Sequence, residues 1–369
     1  TTLFRSQSEA GNIIGSAGNS SGGVRDVTAA YVESLVPITE QIELNLAGRF
    51  DDYSDFGSAF SPKASLRYQP LDNLMLRTSW SRSFRAPSLS DLYAADSFSA
   101  DWAKDYVYCE ANGISAADCP NRQYDTTRTA NEDLKEETAD TWNFGVAYSP
   151  VDDLNLSLDY YTIKIKDVIQ LNSLQSVIYD ELNNGGSSNI TRNSQGKISG
   201  AIAPMVNLGT LKTSGLDLKV DYKYDLNYAT IRYDLGGTYI LEYEEGLYAG
   251  GPVIDKIGQN GLPQMRFSSG VGVNVPQWWN MDTYLSANYI DSQSQDYIAD
   301  TGEEVGHIAS QTTWNLNVGV DAPWNGKIQV GVKNMFNAGP SLESDGFTYD
   351  DELYSIDGRI YYLDYSQKF

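Results

Sequence analysis

The sequence lacks a long hydrophobic run, since no stretch approaches the roughly 18 continuous apolar residues that a membrane-spanning helix needs. The mean hydropathy is -0.39. A membrane-spanning helix is therefore not expected. A protein that crosses a membrane on strands would show the same low mean, because each such strand alternates apolar with polar side chains.

Positive charge is scarce as well. The chain carries 26 Lys and Arg against 49 Asp and Glu, a formal net charge of -23. Phosphate recognition needs a basic surface, so nucleic acid is not an expected partner. Simple attraction to anionic lipid is disfavoured for the same reason.

Catalytic motifs are also missing. The chain has one histidine, His307, and contains no G-x-S-x-G elbow, H-E-x-x-H pair or P-loop. We therefore predict that the protein is not an enzyme, and we assign it no catalytic residue, metal ligand or cofactor. The carboxylates of Asp51, Asp52 and Asp55 could hold Ca²⁺, but their spacing is not that of a defined calcium loop, and solvated turn residues are favoured.

Cysteine is limited to Cys109 and Cys119, in a polar segment with Asn112, Gly113 and Pro120. One interpretation is a disulfide that pins a loop in an oxidising compartment. The alternative is a pair of free thiols or metal ligands. The disulfide is favoured because no histidine or further cysteine lies nearby to complete a metal site.

The dominant positive feature is alternation with a period of two residues. Between Leu216 and Leu226 the apolar side chains share one parity, and Asp217, Lys219, Asp221, Lys223 and Asp225 share the other. A strand places such charges on one face, whereas a helix would scatter them. The same pattern recurs along almost the whole chain, so the fold class is all-β.

We predict about thirteen strands, most of them about ten residues or longer, which is the length that crosses a hydrocarbon layer when tilted. They span roughly 24–34, 40–51, 60–69, 73–84, 138–149, 154–166, 212–224, 229–243, 264–275, 280–293, 310–321, 326–336 and 357–369.

The predicted connections alternate between short and long. The short ones carry Pro, Asp and Asn, and span 35–39, 70–73, 150–153, 225–228, 276–279 and 323–325; the long ones span 52–59, 85–137, 167–211, 244–263, 294–309 and 337–356. This sorting is typical of an antiparallel transmembrane β-barrel, with short periplasmic turns and long outer loops. Trp278, Trp279 and Trp324 in the short turns are expected to form a periplasmic aromatic girdle, with ordinary packing as the alternative.

The strand count predicts an incomplete barrel. Bacterial single-chain barrels use an even number of strands, and an open edge in lipid would leave backbone groups unpaired. We expect the missing strands upstream, with residues 1–23 in an outer loop. Residues 1–5 lack the basic segment and apolar core of a signal peptide, so the natural start is also expected upstream.

Several segments resemble the TonB-dependent receptors of Gram-negative outer membranes. Residues 81–93 (SRSFRAPSLSDLY) are similar to the family's S-x-x-F-R-A-P-x-x-x-E-L-Y segment, with Asp91 in place of Glu. Residues 131–142 (NEDLKEETADTW) are similar to its N-P-x-L-K-P-E run, with Glu at both usual Pro positions. Residues 49–57 (RFDDYSDFG) and 332–337 (VKNMFN) resemble two further motifs. Terminal Phe369, with Tyr365, Leu363 and Tyr361 before it, resembles an outer-membrane assembly signal, which Gln367 interrupts.

The resemblance implies that the chain is about strands 10 to 22 of a 22-stranded barrel, in one domain that lacks the family's plug and TonB box. It implies active import of a scarce nutrient ligand, energised by TonB-ExbB-ExbD through the missing N-terminal region. It also implies insertion by the barrel-assembly machinery into an outer membrane containing lipopolysaccharide. A passive pore and a structural or adhesive barrel are the alternatives.

Two groups of residues are candidates for ligand binding. The side chains of Arg67, Arg77, Asp217, Lys219, Asp221 and Lys223 are expected to face the lumen, where the alternative role is a hydrated ladder of charges that pair across strands and contact a plug. The loop 85–137 holds Trp102, Tyr106, Tyr108 and Tyr124 around the cysteine pair. These rings could stack on a sugar or cap a hydrophobic ligand, or they could pack the loop on itself.

Overall fold

The computed structural model describes residues 21–246, 253–259, 261–298, 303–343 and 348–367. In chain order its elements are β1 Val27–Pro37, β2 Ile42–Tyr53, β3 Gly57–Leu71, β4 Leu74–Arg85, α1 Leu89–Tyr93, β5 Ser97–Lys104, α2 Tyr106–Ala111, β6 Asn121–Thr129, β7 Glu137–Val151, β8 Leu154–Leu171, α3 Leu174–Asn184, β9 Ile190–Arg192, β10 Ile198–Asp225, β11 Thr230–Gly246, β12 Val253–Asp255, β13 Met265–Val275, β14 Met281–Ile290, β15 Gln293–Ile298, β16 Glu303–Ile308, β17 Gln311–Ala322, β18 Gly326–Lys333 and β19 Ile360–Gln367. None of the three helices in this part of the chain has the length and apolar character of a membrane-crossing segment.

Thirteen of the strands form one antiparallel sheet, in the order β1, β2, β3, β4, β7, β8, β10, β11, β13, β14, β17, β18 and β19. Each overlaps one of the thirteen predicted strands, so the all-β prediction is confirmed. Within the described residues β1 and β19 each pair on one side only, and the sheet is therefore open.

The register gives the sheet two chemically distinct faces. On the apolar face, Leu216 of β10 lies opposite Tyr160 of β8 and Tyr239 of β11, and Leu218 lies opposite Leu158 of β8. Large apolar side chains stay exposed there; Leu218, for example, is 43% exposed. Exposed apolar area on this scale marks a surface that contacts another apolar medium. The opposite, polar face carries the charged members of each alternating pair.

The two ends of the sheet also differ. All six predicted short connections are short in the structure, and they lie at one end, called here the turn end. Trp278, Trp279 and Trp324 lie in these turns with largely exposed rings. Trp324 Nε1 also donates a hydrogen bond to Tyr365 Oη at 3.0 Å. Their arrangement is compatible with a girdle, which stays a prediction.

The prediction of a long loop at 52–59 was wrong. The ladder of β2 and β3 continues through Phe50 opposite Phe60 to Tyr53 opposite Gly57, which leaves a three-residue turn. Gly57 has a φ of 112°, a conformation that glycine adopts without steric cost. Of the two acidic residues in this segment, Asp55 forms an ion pair with Arg25.

Four of the other five long connections contain regular secondary structure within the described residues. They contain six short strands and all three helices of the described residues. In particular, β10 begins at Ile198, fourteen residues before its predicted start, and its first part extends beyond the sheet to pair with β6 and β9. The end opposite the turns is called the loop end.

Candidate functional site

One register level on the polar face carries a row of charged residues. Arg67 on β3 lies opposite Arg77 on β4, and Asp159 on β8 lies opposite Asp217 on β10. The row continues through Thr238 on β11, whose Oγ1 donates to Asp217 Oδ1 at 2.5 Å. Cross-strand neighbours on one face interact directly. The row is therefore a connected polar surface that runs across several strands.

An ion pair in this row spans an intervening strand. Arg77 Nε lies 2.8 Å from Asp159 Oδ1, and Arg77 Nη2 lies 2.5 Å from Asp159 Oδ2, although β7 separates β4 from β8. The residue between them is Gly145. A Cβ at this position would lie 2.0 Å from Asp159 Oδ1 and 2.6 Å from Arg77 Nε. The absence of a side chain at Gly145 thus permits the bidentate contact.

A second glycine on the polar face has the same effect. Tyr284 on β14 donates its hydroxyl to both carboxylate oxygens of Asp234 on β11, at 2.9 Å each, across β13. A Cβ at Gly270 of β13 would lie 2.0 Å from the Tyr284 oxygen. Glycine normally weakens the interior of a strand. At this position its missing side chain leaves room for Tyr284 and Asp234 to meet across the strand.

All six residues predicted to face the lumen lie on the polar face. Lys219 Nζ lies 3.0 Å from Asp221 Oδ2, and Lys223 is paired with Asp225, so these lysines contact carboxylates on their own strand. Arg67 donates to Gln69. Arg77 and Asp217 therefore contact residues on other strands, as the predicted cross-strand ladder requires. The two lysines instead contact carboxylates on their own strand, β10.

The two longest connections pack against each other as a loop module, formed by β5, α2, β6, α3, β9 and the first part of β10. Its core contains Ala103, Leu174, Ile178, Ile198 and Ala201. Both Leu174 and Ile178 are essentially fully buried. Burial of this apolar surface supplies the driving force that orders the connections.

The charged centre of the loop module is Arg192. Its guanidinium contacts both carboxylate oxygens of Asp105 at 2.8 Å, and both oxygens of Glu181 at 2.6 and 2.8 Å. Asp105 is also the N-cap of α2, and Glu181 lies on α3. Hydrogen bonds to Glu181 and then to Asp105 raise the pKa of Arg192 above its ordinary value. The residue therefore stays charged and ties three elements together.

The predicted disulfide is present. Cys109 on α2 and Cys119 are joined with an S–S distance of 2.07 Å, and both side chains are buried. The bridge joins two residues ten positions apart, the first of them four residues after the Asp105 cap. It therefore restrains the same part of the loop module that Arg192 holds.

Three of the four predicted loop aromatics pack within the module. Tyr124 packs against its apolar core, and burial, followed by the nearby Asp105 carboxylate, raises the pKa of its phenol. Tyr106 stacks on Tyr179 with ring centroids 5.4 Å apart, and Lys197 Nζ lies 5.9 Å from the Tyr108 ring centroid. In the structure these three tyrosines pack against other residues of the loop module, which is the second of the two roles considered for them.

The fourth ring, Trp102, is 62% exposed. It lies on the outer side of the β5–β6 hairpin, two strand positions from Ala100 and four from the exposed Phe98. The structure therefore separates the predicted group, since Trp102 alone of the four presents its ring to solvent. Arg67 and Arg77 lie on the sheet and belong to the polar row instead.

Comparison with known proteins agrees with this architecture. A family model described as "TonB dependent receptor-like, beta-barrel" matches residues 2–335. The chain belongs to this family. The probable TonB-dependent siderophore receptor PirA of Acinetobacter baumannii is 22% identical over 349 residues, which are 93% of this chain and 43% of that protein.

Solved structures show the same fold at low sequence identity. A point mutant of the ferric enterobactin receptor PfeA from Pseudomonas aeruginosa superposes with a TM-score of 0.67 and 15% identity, covering 92% of this chain and 44% of that one. The siderophore receptor PirA from A. baumannii gives 0.66 and 17%, covering 92% and 45%. The thirteen-stranded sheet is thus a partial TonB-dependent receptor barrel, and the chain spans less than half the length of these relatives.

In this receptor barrel the net charge is concentrated at the loop end. The described residues of the connecting segments there contain 23 Asp and Glu against 8 Lys and Arg; these segments are 54–56, 86–136, 172–197, 253–259, 261–264, 291–298, 303–310, 334–343 and 348–359. The six short turns contain four acidic residues and no basic one. The approach to the barrel from the loop end is therefore electrostatically unfavourable for a polyanion.

Two of the three carboxylates considered for Ca²⁺, those of Asp51 and Asp55, are engaged by arginine. Arg49 contacts both oxygens of Asp51 at 2.7–3.0 Å, and Arg25 Nε lies 2.7 Å from Asp55 Oδ2. Among the described residues no group of three His, Cys, Asp or Glu side chains is placed to hold a metal ion. Phe369, the predicted assembly signal, lies outside the described residues, while Tyr361 and Leu363 are exposed on the apolar face.

Sequence reasoning missed Asp159 and Arg192. Asp159 could have been found, because it alternates with Leu158 and Tyr160 as a polar-face residue should. No local signal identifies Arg192, since its partner Asp105 lies 87 positions away.

Proposed function

We propose that this chain is the C-terminal part of the barrel of a TonB-dependent receptor that imports a ferric siderophore across the outer membrane of a Gram-negative bacterium. The observation that carries the proposal is the family match over residues 2–335, joined to a sheet with one apolar and one polar face. The relatives compared above are siderophore receptors by name. Chelated iron is a scarce nutrient of the class that the resemblance implies.

The open sheet supports a larger barrel. All residues of β1 are exposed, including Tyr31 at 78% and Val32 at 69%. Such an edge in lipid would leave backbone N–H and C=O groups without partners, at a cost of several kcal/mol each. Further strands that pair with β1 and β19 would remove both edges. A plug within that barrel and coupling to TonB are parts of the same proposal.

The proposed mechanism assigns the loop end to capture and the polar face to passage. The loop module and its exposed Trp102 offer a surface for the first contact with ligand. The polar face supplies hydrated charges along the interior, and the apolar face contacts lipid. Import against a gradient would draw its energy from TonB-ExbB-ExbD, the complex implied by the family match.

The test uses the full-length protein in its native membrane. Uptake of ⁵⁵Fe is measured with three probes: a ferric trihydroxamate, a ferric tricatecholate and ferric citrate. Strains with and without the receptor gene are compared, each with TonB present or deleted. Receptor-dependent uptake of at least one probe that disappears without TonB supports the proposal.

Other outcomes would identify the alternatives. Uptake that persists without TonB would replace the proposal with a passive pore. Binding without uptake in any strain would favour a structural or adhesive barrel. An intact denatured mass of 40.8 kDa for the membrane-purified polypeptide, with no second chain, would contradict the larger barrel.

A further inference from the structure

A cavity of about 450 Å³ opens on the polar face near the loop end of β11, β13, β14 and β17. Its floor is polar, with Thr238, Arg266, Asn288, Gln311 and Thr313 among its lining residues. These side chains all share the register of the polar face. The cavity therefore faces the barrel interior and offers several hydrogen-bonding groups.

Residues 353–355, in the connection between β18 and β19, form the roof. Leu353 and Ser355 line the cavity, so this segment folds inward over the strands. Between them Tyr354 is only 3% exposed, and its hydroxyl accepts a hydrogen bond of 2.9 Å from Gln293 Nε2. This contact fixes the roof to the segment that follows β14.

Arg266 differs from the paired arginines of the polar face. Its side chain is exposed within this cavity, and among the described residues it makes no hydrogen bond or ion pair. By contrast, Arg77 pairs with Asp159, and Arg232 pairs with Asp282. A guanidinium left unpaired beside neutral amides and hydroxyls presents a fork of donors that suits a carboxylate or a chelating oxygen pair.

We propose that this cavity binds an oxygen anion of the imported chelate, with Arg266 as its charged contact and Asn288 and Gln311 as neutral hydrogen-bonding partners. The inference rests on the proposed function and names a site for it. Because the loop end is acidic, the ligand that fits is one of low total negative charge that presents a single carboxylate, hydroxamate or catecholate group to Arg266.

The competing occupant is a carboxylate from another part of the same receptor. In that case Arg266 would contribute to stability without ligand. If Arg266 instead belongs to a ligand site, its side chain would contribute to the affinity for ligand. The two roles therefore separate when ligand affinity and ligand-free stability are measured on the same variants.

The experiment measures the dissociation constant of the purified full-length receptor for the ferric trihydroxamate, the ferric tricatecholate and ferric citrate. The variants are Arg266→Ala, Arg266→Gln and Arg266→Lys. Arg232→Ala is the matched control, because it removes one arginine from the same face at the turn end of β11, outside the cavity. The unfolding midpoint without ligand is recorded for each, and Arg266→Gln serves if the alanine variant does not fold.

We expect Arg266→Ala and Arg266→Gln to weaken binding by about tenfold or more, as the loss of a charge-assisted hydrogen bond does. Arg266→Lys keeps the charge but loses the fork of donors, so its affinity should fall between those of wild type and Arg266→Ala. Arg232→Ala should stay within about threefold of wild type. Equal affinities for wild type and Arg266→Ala would overturn the site alone, as would an equal loss in Arg232→Ala or a change confined to ligand-free stability. Failure of the wild type to bind any probe would overturn the proposed function together with the site.

Discussion

The ion pair across Gly145 allows a sharp test, because the substitution Gly145→Ala adds one methyl group at the point of contact. The new Cβ would lie 2.0 Å from Asp159 Oδ1 and 2.6 Å from Arg77 Nε, so at least one of these side chains must move by about 1 Å or more to restore ordinary contact distances. The bidentate geometry cannot survive that shift. The polar row would then be interrupted between β4 and β8.

The expected loss in the free energy of unfolding combines an unfavourable effect of overpacking with a favourable effect of replacing glycine. Overpacking of this kind costs about 1–3 kcal/mol, which includes the disturbed ion pair. The pair itself contributes at the low end of charged hydrogen bonds, because Arg77 and Asp159 are 48% and 24% exposed. Replacing glycine within a strand returns about 0.5–1 kcal/mol. We therefore expect a net loss of about 1–2 kcal/mol in the free energy of unfolding.

The assay is urea unfolding of the full-length receptor in lipid bilayers, followed by tryptophan fluorescence. The control is Gly236→Ala, since Gly236 lies on the same face of β11 and its added Cβ would meet nothing within 4 Å. That variant should be neutral or slightly stabilised. In an Arg77→Ala background, Gly145→Ala should cost less than in wild type, because Asp159 is then able to turn away. Equal effects of Gly145→Ala and Gly236→Ala would refute the steric argument.

Two further predictions concern the loop end. Arg192→Ala leaves Asp105 and Glu181 without their shared cation, so the loop module should lose about 3 kcal/mol of local stability; faster hydrogen exchange in α2 and α3, with an unchanged sheet, would be observed. Undisturbed exchange there would contradict the role of Arg192. Burial raises the pKa of Tyr354 above its ordinary value, so its contribution to roof stability is fully present below about pH 10 and is lost as the pH rises through the raised pKa. Protease cleavage of the roof should increase over that range in wild type, whereas Tyr354→Phe should show no such alkaline step.

The positions of the strands were readable from the sequence because the alternation is local. In β10 the charges from Asp217 to Asp225 share one parity, and the strand geometry alone then places them on one face. The order of the sheet followed as well, since short turns can join only antiparallel neighbours. The sorting of connections into two ends likewise needed only their lengths, apart from the misjudged segment at 52–59.

The disulfide was also within reach of sequence reasoning, because the chain offers only one pair of cysteines. The packing of the aromatic side chains in the loop could not be predicted from the sequence. Whether Tyr124 contacts ligand or a protein core depends on helix α3 and the first part of β10, which are distant in sequence. Their packing, and not the composition of the loop, decided that Trp102 is exposed while the tyrosines are packed.

The sequence by itself determined the strand pattern, the two faces and the acidic loops, because each depends on residues that are close in the chain. The tertiary structure alone decided which distant side chains meet: Arg77 with Asp159 over Gly145, Arg192 with Asp105, and Tyr354 with Gln293 in the roof of the cavity. These contacts depend on the register and on the approach of segments many residues apart. A local pattern fixes which face a side chain occupies, but only the assembled sheet fixes its neighbour on that face.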